Sequence, residues 1–497
     1  MQNLNFKNIL DMFKRNIVVI IAFIIFGLSA IYNKGFYQPD EHYQIVEFAE
    51  LKNGNNQPSD LAWEYGAKIR PAIQPLIFYL LINGLRLLQI TDHYTITIIS
   101  RLIVSLLSIA VITLFINVTL HLVDAKFKKY YQFLSYFLCF IPFISIRFSS
   151  ENFSALSFLL GLCLLYKPVT KNTYYLLGIL LGLSFLFRFQ TAFMSIGLLL
   201  WLMIVFKLDV YNLAKILMGA LLIVNIGAVI DYWYYGVYTF TFVNYFTANV
   251  VNDIASSFGA YPWYYYIQIL ITTCSFPIAF VLISSIIIQL LFNFKNILVW
   301  ILVPFLFIHF VTPHKEVRFL FPIGNLLPLL IISSIQLLYN RNLINSYILN
   351  CLAVVFMVVN TIGLLINVFS PADEEGRMNI TQFIHQKYNS KNILLYYINE
   401  VNPYKPITPN QRFYLDKNVT QKELASEISI IQPKRFNTTL LVIQKKSIKH
   451  NINLLSRISL KPLTSGVPEW IQRLKHAVNF RDNDNSLELY EIDYRQQ

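Results

Sequence analysis

The chain has 497 residues, 56% of them hydrophobic and only 13% charged, about half the charged share of a globular protein. That balance excludes a soluble single-core enzyme. The formal net charge of +13 would point to nucleic acid in a soluble protein, but much of it sits in short loops between apolar segments. That is the positive-inside pattern of a membrane protein, and no nucleic-acid partner is expected.

Apolar segments that approach the length of a bilayer crossing fall at 17–33, 102–122, 131–147, 153–166, 174–187, 192–206, 213–230, 264–292, 297–311, 319–339 and 347–369. They predict a polytopic α-helical membrane protein with about eleven transmembrane helices. No small-residue cleavage site follows the first segment, so it is expected to stay as a helix rather than leave as a signal peptide. Pro142, Pro277 and Pro304 fall within spans and are expected to kink them, neighbouring helices satisfying the freed backbone groups. Cys139, Cys163, Cys274 and Cys351 all lie in apolar runs, without metal-ligand spacing, and read as packing residues. Aromatic residues make up 15% of the chain, with Tyr and Trp often near run ends, where they suit the membrane interface.

The stretch 71–90 is apolar but contains Pro75, Asn83, Gly84 and Arg86, and loop charge decides its place. If it does not cross, one side collects Lys7, Lys14, Arg15 and the basic loops 126–129, 167–171 and 207–215, while the other collects Asp40, Glu41, Glu47, Glu50, Asp60, Glu64, Glu151, Asp231, Asp253 and Glu316. The segment is therefore expected to be interfacial or re-entrant. The loops 34–70, 231–263 and 312–318 and the tail then share the extracytoplasmic face. The expected domains are 1–370, a transmembrane body whose first outer loop is 34–101, and 371–497, a small α/β extracytoplasmic domain large enough for its own core. In it, 378–388 and 421–431 read as helices, and 392–398, 438–444 and 487–492 as strands.

The residues that suit chemistry sit in the outer loops. Pro39-Asp40-Glu41-His42 follows the first helix. A carboxylate just outside a membrane can take a proton from an acceptor hydroxyl, although Pro-Asp-Glu is also ordinary helix-start chemistry. Trp63-Glu64-Tyr65 and Arg70 suit a sugar and a phosphate, and equally suit anchoring at the interface. Thr312-Pro313-His314-Lys315-Glu316-Val317-Arg318 packs four ionisable groups between two apolar spans, which is costly near lipid unless they are paired or used. Lys315 and Arg318 could flank one anionic group, and Arg binds phosphate bidentately. Arg147, Glu151 and Arg188 stand at outer span ends, where function and snorkelling are equally good accounts. The loop 231–263 is unusually aromatic, at Asp231-Tyr232-Trp233-Tyr234-Tyr235, at Phe242 and Tyr245, and at Tyr261-Pro262-Trp263. The sequence holds no GxxxxGK[ST], HExxH, GxSxG or GxGxxG motif.

Taken together these loops resemble glycosyltransferase family 22 of the GT-C superfamily, and most of all its GPI mannosyltransferases. The family's Pro-Asp-Glu opening is matched by Pro39-Asp40-Glu41, and its Trp-Glu then Arg pattern by Trp63-Glu64 and Arg70. Its Asp-x-x-x-Tyr-Gly, Asn-x-x-x-x-Asn and Gly-x-x-Pro-Trp segments look like 231–236, 244–249 and 259–263, and its His-Lys-Glu-x-Arg-Phe is matched residue for residue by 314–319. Gln38 departs from the family's usual His. The resemblance implies a GT-C fold and inverting transfer from polyprenyl-phosphate mannose to a hydroxyl of a glycan or glycolipid, with no metal or other cofactor. It implies Asp40 as general base, with Glu41, Arg70, His314, Lys315 and Arg318 as donor-phosphate or substrate ligands. Glu64, Glu316, Arg188, Asp231 and Trp263 are the supporting residues. The alternatives are a secondary transporter, which would carry inverted repeats around a midplane site, and a polysaccharide polymerase or ligase. The richness in Ile, Asn, Lys and Tyr is typical of an AT-rich genome and favours a bacterial inner membrane over the endoplasmic reticulum.

Overall fold

The computed structural model describes residues 17–398, 401–406, 411–424, 435–455, 458–478 and 485–493. Lys7, Lys14 and Arg15, used in the topology argument, lie outside them. The described chain forms two compact units. The first takes in the chain up to Ala30, Ala67–Leu76 and Ser100–Val368; the second takes in Ile31–Gly66, Ile77–Ile99 and the chain from Phe369 onward.

The first unit is helical. Among the described residues of the chain, four helices are long and apolar enough to cross a membrane: His93–Leu122, Val210–Tyr235, Val317–Asn340 and Ser346–Phe369. Eight shorter apolar helices accompany them, among them Ile17–Tyr32, Ser150–Leu165, Thr173–Phe187 and Ile297–Val311. Only 17% of the most apolar window of Val210–Tyr235 and 22% of that of Ser346–Phe369 is buried within the protein. Helices so apolar and so little covered require a lipid surround. The chain is thus a multi-pass integral membrane protein.

Small residues let these helices approach closely, the usual device where apolar burial gives no drive to associate. A Cβ on Gly178 would fall 1.9 Å from the Ile216 carbonyl, and one on Gly219 2.3 Å from that of Tyr175. Thr173–Phe187 and Val210–Tyr235 therefore touch backbone to backbone.

Two expectations about proline are corrected. The span at 264–292 is not one kinked helix but two, Tyr265–Cys274 and Phe276–Phe292, parted at Ser275 with φ 70°. Pro277 lies in the first turn of the second helix and Pro142 in the first turn of Ile141–Ser145, where a missing N–H costs nothing. Pro304 alone of the three lies inside a continuous helix.

The second unit contains a five-stranded sheet in the order β2-β1-β3-β5-β4, with β1 Ile393–Tyr397, β2 Val419–Glu423, β3 Thr438–Gln444, β4 Leu460–Ser465 and β5 Leu487–Ile492. β1 runs parallel to β2 and β3, while β5 is antiparallel to β3 and β4. β1 and β3 are covered on both faces, hence their continuous apolar sequences. Ile393, Leu395, Leu440 and Val442 meet Ile380 and Ile384 of helix Arg377–Tyr388 on one face. Leu394, Tyr396, Leu441 and Ile443 face the other way, toward Ile448 and Leu455. The helix expected at 421–431 begins instead in strand β2, because pairing with β1 overrides the local pattern; 425–431 lie outside the described residues.

Most of the first loop, up to Gly66 and over Ile77–Ile99, is part of this unit. The Tyr414 ring stacks on His42 at 5.5 Å, and Phe413 stacks on His93 at 4.2 Å and meets Phe78 edge-on at 6.2 Å.

Candidate active site

In the first unit, Glu151 stands in the first turn of Ser150–Leu165, a helix capped by Ser149, whose hydroxyl accepts from the Asn152 N–H. Arg188 follows the end of Thr173–Phe187 in extended backbone. A buried hydroxyl trio fixes these two helix ends together. Ser154 and Ser184 lie 2.9 Å apart, both reach Thr191, and Thr191 donates to the Arg188 carbonyl at 2.8 Å. Arg188 Nη1 then meets Glu151 Oε1 at 2.7 Å, both side chains buried.

Arg318 Nη1 lies 3.8 Å from the same Glu151 oxygen. Its Nε and Nη2 donate to the two oxygens of Glu316 at 2.7 and 2.9 Å, the bidentate fork that only Arg offers. The Arg188 and Arg318 guanidinium carbons sit 4.8 and 5.4 Å from the Phe319 ring centre. Phe319 was legible in the sequence only as the last residue of the hexapeptide, and the hydroxyl trio was not legible as a group. The signal was three small hydroxyl residues one turn from charged ones in apolar helices.

The His-Lys-Glu segment is strapped to the Gly-x-x-Pro-Trp segment. The Tyr261 N–H donates to Pro313 at 2.9 Å, and His314 Nδ1 meets the Gly259 carbonyl at 3.0 Å. His314 Nε2 meets Glu316 Oε1 at 2.9 Å. A ring facing a carbonyl on one nitrogen and a carboxylate on the other satisfies both as imidazolium, and the Glu316 hydrogen bond raises the His314 pKa. Lys315 is buried, which lowers its pKa, and Nζ donates to the carbonyls of Tyr261 and Thr312. Glu316 thus orients Arg318 and His314, while Lys315 is held by backbone oxygens. Trp263 is exposed.

Asp231 is buried and structural in its contacts. Its oxygens accept from the Ala72 N–H at 2.7 Å and the Thr241 hydroxyl at 2.9 Å. With Tyr235, which donates to the Arg70 carbonyl, and Asn244, which donates to that of Lys68, it clamps segment 68–72. The clamp sets the Arg70 guanidinium 5.7 Å from the Tyr245 ring centre, and Gln190 donates to the Tyr245 hydroxyl. Arg147 is fully buried, its guanidinium 4.4 Å from the Phe143 ring.

In the second unit, Pro39–Glu41 forms one helical turn with Pro at its start, and Glu41 accepts from the Tyr37 N–H at 3.4 Å. A π-turn at His42–Val46 follows, a geometry that recurs at functional sites. Buried His42 pairs with buried Glu47 at 2.7 Å. Burial pushes the Glu47 carboxyl up, but His42, the Phe413 N–H and Asn56 outweigh it and leave it below its ordinary range. Gln44 donates to Glu64 at 2.8 Å, joining the two halves of the loop. Asp40 is half-buried at the head of this braced turn. The sequence drew attention to Asp40, Glu41 and Glu64 but not to the His42–Glu47 brace beneath them.

Comparison with known proteins gives the class, a membrane glycosyltransferase. The model of the Alg9-like mannosyltransferase family matches residues 17–394, and the chain belongs to that family. It is 24% identical over 403 residues to GPI mannosyltransferase 3 of Debaryomyces hansenii, covering 74% of this chain and 67% of that one. It is 28% identical over 297 residues to GPI mannosyltransferase 3 of Candida albicans, covering 59% and 58%, and 28% identical over 269 residues to GPI alpha-1,2-mannosyltransferase 3 of Xenopus laevis, covering 50% and 47%. The match thus spans two thirds of the first relative and about half of the last. Among solved structures, ArnT from Cupriavidus metallidurans in the apo state superposes with TM-score 0.50 at 11% identity, over 97% of this chain and 98% of that one. The fold is the GT-C fold, with a C-terminal α/β sheet.

Proposed function

We propose that this protein moves a mannosyl group, with inversion, from polyprenyl-phosphate mannose to a hydroxyl of a glycan or glycolipid on the extracytoplasmic face of its membrane. The observation that carries this is the convergence of Arg188, and of Arg318 from the segment 314–319, on one oxygen of Glu151. Arg188, Arg318 and Lys315 outnumber Glu151 and Glu316 by one positive charge (3 − 2), and a protonated His314 adds another. A net positive, largely buried cluster suits a phosphate that gains charge as it leaves.

In the reaction the bond from the anomeric carbon to the phosphate oxygen breaks, and the polyprenyl phosphate departs with the electron pair. The acceptor oxygen attacks from the opposite face and its proton passes to Asp40. Arg318 and Arg188 stabilise the departing phosphate, His314 donates to it, and Lys315 adds charge nearby. Glu41 and Arg70 contact substrate, while Glu64, Glu316, Asp231 and Trp263 support the loops. The scheme draws its charge stabilisation from these side chains and uses no metal or other cofactor.

Loop charge supports the extracytoplasmic side, and composition favours a bacterial inner membrane over the endoplasmic reticulum. The test is to offer membranes carrying the protein mannose label on undecaprenyl phosphate, on dolichyl phosphate and on a nucleotide. Transfer from either lipid but not from the nucleotide is expected. Transfer from the nucleotide alone would overturn the lipid-donor account.

A further inference from the structure

A polar cavity of about 470 Å³ in the second unit shares Asn56 and Phe413 with the Glu47 brace but is lined by none of the residues assigned to the reaction. Its floor is the Glu50 carboxylate, whose side chain is 3% exposed. Arg86 reaches both its oxygens at 3.2 Å, Asn53 donates at 2.9 Å, and Asn55 donates from the other side. Gly54, at φ 77°, lets the chain double back so that Asn55 reaches the carboxylate five residues before it. Asn83 donates to Asn53 at 2.9 Å and extends the amide wall. The remaining wall is the Phe413 ring, stacked on His93.

This lining selects a ligand. Phe413 is its one apolar side chain, so a lipid tail has nothing to bury against. Each lining guanidinium already has a carboxylate partner, Arg86 in Glu50 and Arg412 in Asp60 at 2.7 Å, so the wall is near neutral and a phosphate finds no unpaired cation. What the wall offers is planar amides fixed by a buried carboxylate, beside an aromatic ring. Such groups match the vicinal hydroxyls and CH face of a pyranose. Glu50 also lies ten residues beyond Asp40 in one nearly continuous helical segment, about 15 Å along its axis. An oligosaccharide bridges that distance and a single sugar does not.

We propose that this cavity is a saccharide subsite, which takes a neutral hexose ring of the acceptor at a distance from its reacting hydroxyl. The proposal rests on transfer to a glycan acceptor, but it can be tested apart from transfer.

The experiment is hydrogen exchange on the full-length protein in nanodiscs, without donor, titrated with α-linked mannobiose and, separately, with inorganic phosphate. Saturable slowing of amide exchange across 50–56 and 412–414 by the disaccharide is expected. Asn55→Leu and Asn83→Leu should each weaken it about tenfold, as loss of one or two hydrogen bonds implies. No slowing by the disaccharide, slowing by phosphate alone, or unchanged affinity in both variants would overturn the proposal. If either variant does not fold, wild-type protection decides. With no donor present, a failed transfer assay leaves this result readable, and absent protection leaves the transfer reaction standing.

Discussion

Arg188 and Glu151 form a 2.7 Å ion pair whose side chains are 4% and 3% exposed, and Arg318 reaches the same carboxylate oxygen at 3.8 Å. One carboxylate therefore holds two guanidiniums that would otherwise repel. Glu151→Ala takes the carboxylate from buried Arg188, at a cost of about 3–5 kcal/mol. Thermal unfolding in detergent should show that loss. The double variant Glu151→Leu with Arg188→Met should recover most of the stability while remaining inactive. Equal losses in single and double variants would mean the pair carries no coupling.

Arg318 makes two parallel hydrogen bonds to Glu316, which a lysine cannot reproduce. Arg318→Lys should lower kcat by about 10²–10³, the usual loss when one charge-stabilising donor is removed. The thermal midpoint should fall much less. A kcat within a few fold of wild type would remove Arg318 from the leaving-group site.

His314 gives a pH signature. Its hydrogen bond to Glu316 raises its pKa in the folded protein. The contact is therefore fully stabilising below the ordinary imidazole value, about 6.5, and is lost as pH rises through the higher folded value. The difference in melting temperature between wild type and His314→Gln should be widest below about pH 6 and should close at alkaline pH. A gap that widens with pH would contradict the imidazolium assignment.

The hydroxyl trio makes a quieter prediction. Thr191→Val removes the hydroxyl that donates to the Arg188 carbonyl and meets Ser154 and Ser184. Hydrogen bonds between membrane helices are worth about 0.6 kcal/mol on average, so stability should barely change. If the trio positions Arg188, kcat should still fall several-fold while KM holds. A change in KM alone would make the trio structural only.

Most of the helical framework was legible because apolar length is a strong signal: 297–311 coincides with Ile297–Val311, and 347–369 with Ser346–Phe369 to within a residue. Strand β3 was equally clear from its short apolar run and β5 from apolar residues interleaved with glutamates, whereas β4, with Lys461 and Pro462 in an edge strand, carried no such pattern. The break at Ser275 was illegible because it depends on one residue's backbone conformation inside an apolar run. At the site, the hexapeptide 314–319 announced its charges, but not that Lys315 would be held by the Tyr261 carbonyl or that Glu151 would join Arg188 to Arg318. Those contacts join residues far apart in sequence, and no local pattern encodes them.

The most direct measurement is mannosyl transfer from labelled polyprenyl-phosphate mannose in membranes, comparing wild type with Asp40→Asn at matched amounts of folded protein. The account predicts efficient transfer by the wild type. In the variant, which keeps the shape of the turn but has no carboxylate to take the proton, it predicts a loss of about 10²–10⁴. Transfer at wild-type rates by Asp40→Asn would contradict the assignment of the base, and no transfer by wild type from any lipid-linked mannose would contradict the account as a whole.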